Sequence, residues 1–306
     1  MPEQAEMPGD TPPTRDDSHI PPHPGLMVMT LQVLAISGYG LWLLLGLALG
    51  LGIYPAGRGD ALVPLALGTV LVSIGPLLAL PGLPWMPDWL GWRFGRGSRP
   101  TREGLLALVT YLPMLAIAGL VRGDNAFWAT RLSGAALAFC SLACLIYTSR
   151  GAYRQRAPAL APLWRQWPLG RVVSACYAGG LWLWLCLVGQ EGEPTPITST
   201  PWILALQLLA LLLGWAEGMR WQALRRAEGG LELAASSRPP ELWAGRFVAA
   251  TLIYVIPCVV LLLAQVLEQR VLLVALAAVS CVVGKSVEQH LYDAALAIRR
   301  DPGHSA

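Results

Sequence analysis

Lysine and histidine are almost missing from this chain. Among its 306 residues Lys285 is the single lysine, and the only histidines are His19, His23, His290 and His304. A membrane b-type haem takes two axial ligands, commonly histidines from facing helices, and with no histidine between positions 23 and 290 the pair cannot be assembled. The HExxH of a zinc protease, the GxSxG of a serine hydrolase and the lysine motif of a P-loop are absent as well. Charge is scarce too, at 13% of residues, about half of what a soluble domain uses to solvate its surface. The net charge of +3 is too small to suggest a nucleic-acid groove. The six cysteines (Cys140, Cys144, Cys176, Cys186, Cys258, Cys281) all lie in apolar runs. No four-thiol grouping for an iron–sulfur cluster is visible, and they read as small buried apolar side chains. No metal site is expected.

What is present is hydrocarbon. Hydrophobic residues make up 55% of the sequence, mean hydropathy is +0.51, and the apolar residues fall in long unbroken runs. A bilayer core about 30 Å thick takes roughly 20 apolar residues per helix. Eight segments fit: 27–54, 61–80, 104–121, 132–148, 172–189, 201–216, 247–267 and 271–298. The expected fold is therefore an all-α integral membrane protein, a bundle of about eight transmembrane helices spanning 26–298. Residues 1–25 are Pro-rich, acidic and polar, lack the basic-then-apolar pattern of a signal peptide, and read as a disordered cytoplasmic tail. A short cytoplasmic C-terminus, 299–306, closes the chain. Pro64, Pro76, Pro113 and Pro257 fall inside segments, where packed neighbours can re-satisfy the freed backbone groups. Gly46 and Gly50 form a small-xxx-small face for close helix packing.

Arginine sets the orientation. Seventeen arginines fall on the tails and on the connections after the second, fourth and sixth segments, against Arg58, Arg122, Arg131 and Arg270 on the other side. The positive-inside rule then places both termini in the cytoplasm, in the inner (cytoplasmic) membrane. Many tryptophans sit near segment ends, as an interfacial belt requires. Trp85, Trp89, Trp92 and Arg96 recur at helical spacing, which suits an interfacial helix, while Pro84, Pro87, Gly91 and Gly95 suit an irregular loop; both readings stand.

Within the segments the visible ionisable cluster is GKSVEQHLYD, where Lys285, Glu288 and Tyr292 share one helical face. Each charge at membrane depth costs about 2.5–3.5 kcal/mol or more unless paired or snorkelling. The cluster reads either as a functional site or as a structural ion pair near the cytoplasmic interface.

Four stretches together resemble the membrane-anchor (C) subunit of dimethyl sulfoxide reductase-type molybdoenzymes. These are HPGLMVMTLQVLAISGYGLWLLLGL, with Ser37, Gly38, Tyr39 and Gly40 standing for a Ser-Gly-x-Gly element, and SRPTREGLLALVTYLP, with Arg102, Glu103 and Gly104. The others are LACLIYTSRGAYRQRAPALAPLW and GKSVEQHLY. The likeness covers residues 23 to about 295. It implies an anchor, without haem or covalent cofactor, that tethers a ferredoxin-like iron–sulfur subunit and a molybdopterin catalytic subunit and passes electrons from menaquinol or another quinol. Two departures stand out. The family's histidine after the second helix falls at or near Pro81, and its last-helix arginine reads Gln289. With that histidine missing, Glu103 beside Arg102 becomes the candidate proton acceptor, with Trp89 nearby as a quinol-binding candidate and Lys285, Glu288 and Tyr292 as secondary candidates. Glu103 also reads simply as a first-turn carboxylate favoured by the helix dipole. Arg150, Arg154 and Arg156 are the partner-binding candidates, and clustered cations there also suit anionic lipid. The competing readings are a structural or assembly anchor that has lost quinol oxidation, and a small-solute transporter.

Overall fold

In hydrocarbon every backbone N–H and C=O must be satisfied within the protein, which leaves the helix as the local solution for these apolar runs. The computed structural model describes residues 26–54, 59–79, 102–121, 127–156, 167–190, 196–228, 240–267 and 269–298, and among them all regular structure is helical. The helices are α1 (Leu26–Leu51), α2 (Leu62–Ala79), α3 (Arg102–Leu120), α4 (Trp128–Arg156), α5 (Trp167–Gln190) and α6 (Pro196–Glu228). They continue with α7 (Pro240–Ala250), a π-helical turn (Thr251–Val255), α8 (Ile256–Leu263) and α9 (Arg270–Ile298). Six helices are long and apolar enough to cross a membrane, α7, the π turn and α8 counting as one, and α2 and α3 are shorter apolar helices. The chain is a multi-pass helical membrane protein. The proposed tails, 1–25 and 299–306, and the tryptophan segment 85–96 lie outside the described residues.

α1 is the hub. Its apolar window is 78% buried, against 28% for the window in α6, and it packs on α2, α4, α5 and α9. Glycine permits that density of neighbours. A Cβ at Gly40 would overlap the carbonyl of Ala175 on α5, and one at Gly179 would overlap the α1 backbone at Gly40 and Leu41. On another face of α1, Gly46 and Gly134 are mutually exposed backbone to backbone, and Gly50 rests against Ala135 of α4. The small-residue face expected from the sequence is thus the α1–α4 contact. α1 ends at Gly52, whose φ of +70° lets Ile53 N–H reach the Ala48 carbonyl at 3.0 Å and Gly52 N–H the Leu49 carbonyl at 3.1 Å. That paired closure is the Schellman arrangement.

Trp42, fully buried at the centre of α1, donates from Nε1 to the Leu65 carbonyl of α2 at 3.3 Å and meets Tyr111 of α3 edge-on at 5.4 Å. The Tyr111 hydroxyl in turn bonds Ser73 of α2 at 2.7 Å. The α6 positions Leu204, Leu208, Leu211 and Trp215 form an exposed stripe at helical spacing, the face that a helix turns toward lipid. All six cysteines are free thiols.

The span from α7 through α8 is irregular, and its cause is local. Pro257 has no N–H to give the Ile253 carbonyl four residues back. Just before it, Ile256 N–H bonds the Thr251 carbonyl rather than that of Leu252, so the turn is wide. Two carbonyls are thereby left without backbone donors, and side chains from other helices supply them. The Tyr177 hydroxyl of α5 donates to the Ile253 carbonyl at 3.0 Å, and the Ser280 hydroxyl of α9 donates to the Leu252 carbonyl at 2.8 Å. Gly284 of α9 faces the same turn, where a Cβ would come within 2.8 Å of Leu252 Cβ and 3.0 Å of Ile253 N. The π turn is therefore clamped by α5 and α9, and Tyr254 and Lys285 project from the two sides of this clamp.

Candidate functional site: a buried charge cluster between α6 and α9

Lys285 follows Gly284, so the close approach that the glycine permits also fixes the lysine at depth, with 3% of its surface exposed. Its ammonium donates to Glu217 Oε1 of α6 at 2.8 Å and to Glu288 Oε2, one turn on in α9, at 2.7 Å. Both carboxylates are buried. Glu217 has a second cation, Arg220, whose Nη1 lies 3.2 Å from its Oε2. The α6 and α9 backbones scarcely approach one another, so these long side chains are what join the two helices. A lone ammonium at this depth would be prohibitive, and pairing it on both sides offsets its desolvation.

Beyond the ions the cluster passes into aromatics. The Arg220 guanidinium stacks over the Tyr292 ring at 3.6 Å, Trp221 meets Tyr292 edge-on at 5.3 Å, and Arg246 of α7 lies over Trp221 at 4.0 Å. Cations over aromatic faces gain from the ring quadrupole. Here they grade the site from buried ions toward the arginine-bearing end of the bundle.

Tyr254 adds the remaining polar group. Its ring end lies against Gly214 of α6, which a Cβ would meet at 3.8 Å, on the same helical face as Glu217. Lys285, Glu288 and Glu217 are within its electrostatic reach. Its hydroxyl is buried and has no hydrogen-bond partner among the described residues.

The structure therefore brings Lys285, Glu288 and Tyr292 into one site and adds Glu217, Arg220, Trp221, Arg246 and Tyr254, which the sequence reading did not connect to it. That reading ended the sixth segment at 216 and assigned Arg220 and Arg246 to loops, whereas α6 runs on to Glu228. A signal was available: a single buried lysine needs a counter-charge from another helix, and WAEGMRW supplies a carboxylate three residues before an arginine. Of the other candidates, Arg102 and Glu103 open α3, and Arg150, Arg154 and Arg156 fall in the last turns of α4, with their side chains outside the described residues. Trp89 lies outside them altogether.

A second polar group sits at the opposite end of the bundle, where Gln190 of α5 donates to the Asp60 carbonyl at 2.6 Å and the Tyr54 hydroxyl approaches both. It ties the described ends of the connection between α1 and α2, and among the described residues it presents no buried ion pair. Comparison with protein-family models, with curated proteins and with solved structures gives no match to this chain.

Proposed function

We propose that this chain is the membrane anchor of a dimethyl sulfoxide reductase-like molybdoenzyme complex, making eight passes with both termini in the cytoplasm. It holds an iron–sulfur subunit and a molybdopterin subunit against the arginine-rich face and accepts electrons from quinol. The observation that carries this reading is the buried Glu217–Lys285–Glu288 cluster at that same end of the bundle, added to the ordered likeness of the four sequence stretches. Oxidation of a hydroquinone releases protons, and a carboxylate within the bundle is the kind of group that accepts one. Electrons leave directly for the partner's iron–sulfur cluster, because the sequence offers no haem ligand pair to carry them. Arg102, Glu103 and Trp89 remain quinol-binding candidates in addition to the cluster, and Arg150, Arg154 and Arg156 are assigned to partner binding.

One observation favours a second reading, an anchor without quinol chemistry. Lys285 already satisfies both carboxylates, as a purely structural bolt between α6 and α9 does. Co-purification separates the possibilities. The tagged chain, expressed with its neighbouring genes, should bring down an iron–sulfur subunit, and Arg150→Gln with Arg154→Gln and Arg156→Gln should release it while membrane insertion persists. A complex that survives this change with only membrane levels reduced would leave those arginines as topology determinants. An assembled wild-type complex that reduces its substrate from a dye but never from quinol would establish the structural anchor.

A further inference from the structure

The two carboxylates around Lys285 are not equivalent. Glu217 is held by two cations, Lys285 at 2.8 Å and Arg220 at 3.2 Å, from opposite oxygens. Glu288 makes one ion pair among the described residues, with Lys285 through Oε2 at 2.7 Å. A proton added to Glu217 would remove the anion that two cations share. A proton added to Glu288 leaves Lys285 still paired with Glu217. Arg220 keeps Glu217 as well, and at 21% exposure it has the most solvent contact of the four charged side chains, against 4% for Lys285. Neutralising Glu288 therefore breaks one of these ion pairs, whereas neutralising Glu217 breaks two.

The surroundings point the same way. From α6 the site is faced by Glu217 and Arg220, from the π turn by Tyr254, from α9 by Lys285 and Tyr292, and from α7 by Arg246 across Trp221. Cys281 of α9 and Cys258 of α8 lie on the inner side, and Arg171 opens α5 at the same end of the bundle. Tyr177 of α5 is committed to the Ile253 carbonyl, and Tyr39 of α1 faces Trp42. Among the described residues, this leaves the Tyr254 hydroxyl as a neutral group near the ions that is buried and still lacks a partner. A buried hydroxyl is ordinarily satisfied, so the open valence calls for an oxygen that the protein does not itself supply.

We propose that Glu288 is an exchangeable-proton site inside the bundle that takes the proton of a bound hydroquinone, with Tyr254 as the positioning residue that hydrogen-bonds the ring oxygen. The acceptor role rests on the quinol reading above; the proton site itself does not. In the step, the two hydroquinone O–H bonds break and two electrons pass to the partner subunit's iron–sulfur clusters. One proton goes to the free oxygen of Glu288 and the other to water at the arginine-rich end. Glu288 then returns its proton to water along the face of Arg220, and the Glu217–Lys285 pair is unchanged throughout.

Two measurements test it. Infrared difference spectra of the purified full-length chain in liposomes, titrated with pH, should show a protonated-carboxyl band that shifts with ¹³C-glutamate labelling and disappears in Glu288→Gln but not in Glu217→Gln. In the assembled complex Glu288→Gln should lower quinol-driven turnover by about two to four orders of magnitude while dye-driven turnover persists. Tyr254→Phe should raise KM for quinol by about three- to tenfold with kcat and the infrared band kept. A missing titrating band, or one that survives Glu288→Gln, overturns the proton site. A band lost in Glu288→Gln alongside normal quinol turnover overturns the acceptor role and leaves the quinol reading standing. A wild-type complex inert to quinol overturns that reading and the acceptor role together, while a Glu288 band still upholds the proton site. Gln keeps an oxygen for Lys285, so a variant that fails to insert would show the charge to be structural and would also overturn the proposal.

Discussion

Two halves of this bundle solve the problem of helix association in opposite ways. Where α1 meets α4 and α5, glycines remove the side chains and the backbones touch; Gly40, Gly46, Gly134 and Gly179 each face the partner's main chain. Where α6 meets α9, the backbones stay apart and Glu217, Lys285 and Glu288 span the gap. Lipid tails are as apolar as leucine, so burial alone gives helices little reason to associate. Dispersion over a close contact and hydrogen bonds between polar side chains are the remaining means, and the two halves use one each. The dry contact has little to titrate. The charged one costs more to build and offers chemistry in exchange, which is why the functional proposals fall there.

The largest expected effect comes from leaving the charge bridge half made. Lys285→Met leaves Glu288 without its cation and Glu217 with Arg220 alone, and removal of one partner from a buried ion pair costs about 3–5 kcal/mol. The variant should lose most of its folded fraction in a denaturation series in detergent. Adding Glu288→Gln should restore much of the loss, because Glu217 is still paired with Arg220 and no carboxylate is then left without a cation. A double variant no better than Lys285→Met would show that the lysine acts through packing rather than charge.

The dry half should respond to volume and ignore charge. At Gly46 a Cβ would come 2.5 Å from the Gly134 carbonyl oxygen, while at Gly50 the nearest atom is an ordinary 3.4 Å away. Gly46→Ala should therefore destabilise by about 1–3 kcal/mol, the usual range for overpacking. Gly50→Ala should be neutral or stabilise by roughly 0.5–1 kcal/mol, since alanine restricts the helix less than glycine does. Equal responses at the two positions, measured in the same detergent titration, would mean that the α1–α4 contact does not run through Gly46.

The dry half was also the more legible in sequence. Apolar runs of bilayer length located the helices, though α4 and α6 run on past the expected ends at 148 and 216 to Arg156 and Glu228, and the Gly46–Gly50 spacing pointed to a packing face, because both are properties of contiguous sequence. The charge bridge was only half legible. Lys285, Glu288 and Tyr292 lie within two turns of one helix, and their spacing displays their shared face. Glu217 is 68 residues away from Lys285, and nothing local to WAEGMRW says which helix it faces. The same limit applies to the π turn. Pro257 announces a break, but its remedies, Tyr177 and Ser280, come from other helices whose placement only the fold determines.

Tyr177 links α5 to the π turn, and among the destabilising changes its variant should produce the smallest effect. Its helix, α5, packs against α1 through Gly179, while its hydroxyl serves the Ile253 carbonyl that Pro257 leaves unserved. Tyr177→Phe keeps the ring and removes only that donor. Interhelical hydrogen bonds in membranes are worth on average about 0.6 kcal/mol and at most about 1.7, and an orphaned buried acceptor adds to the loss, so a cost near 1 kcal/mol is expected. The cause can be isolated by restoring the missing backbone donor. In a Pro257→Ala background the new Ala N–H can reach the Ile253 carbonyl four residues back, and Tyr177→Phe should then cost almost nothing. A coupling between the two substitutions close to the full cost of Tyr177→Phe would establish that the hydroxyl exists to serve the proline-broken turn. Strict additivity would instead assign the tyrosine to packing between the glycine-lined half and the α7–α8 span.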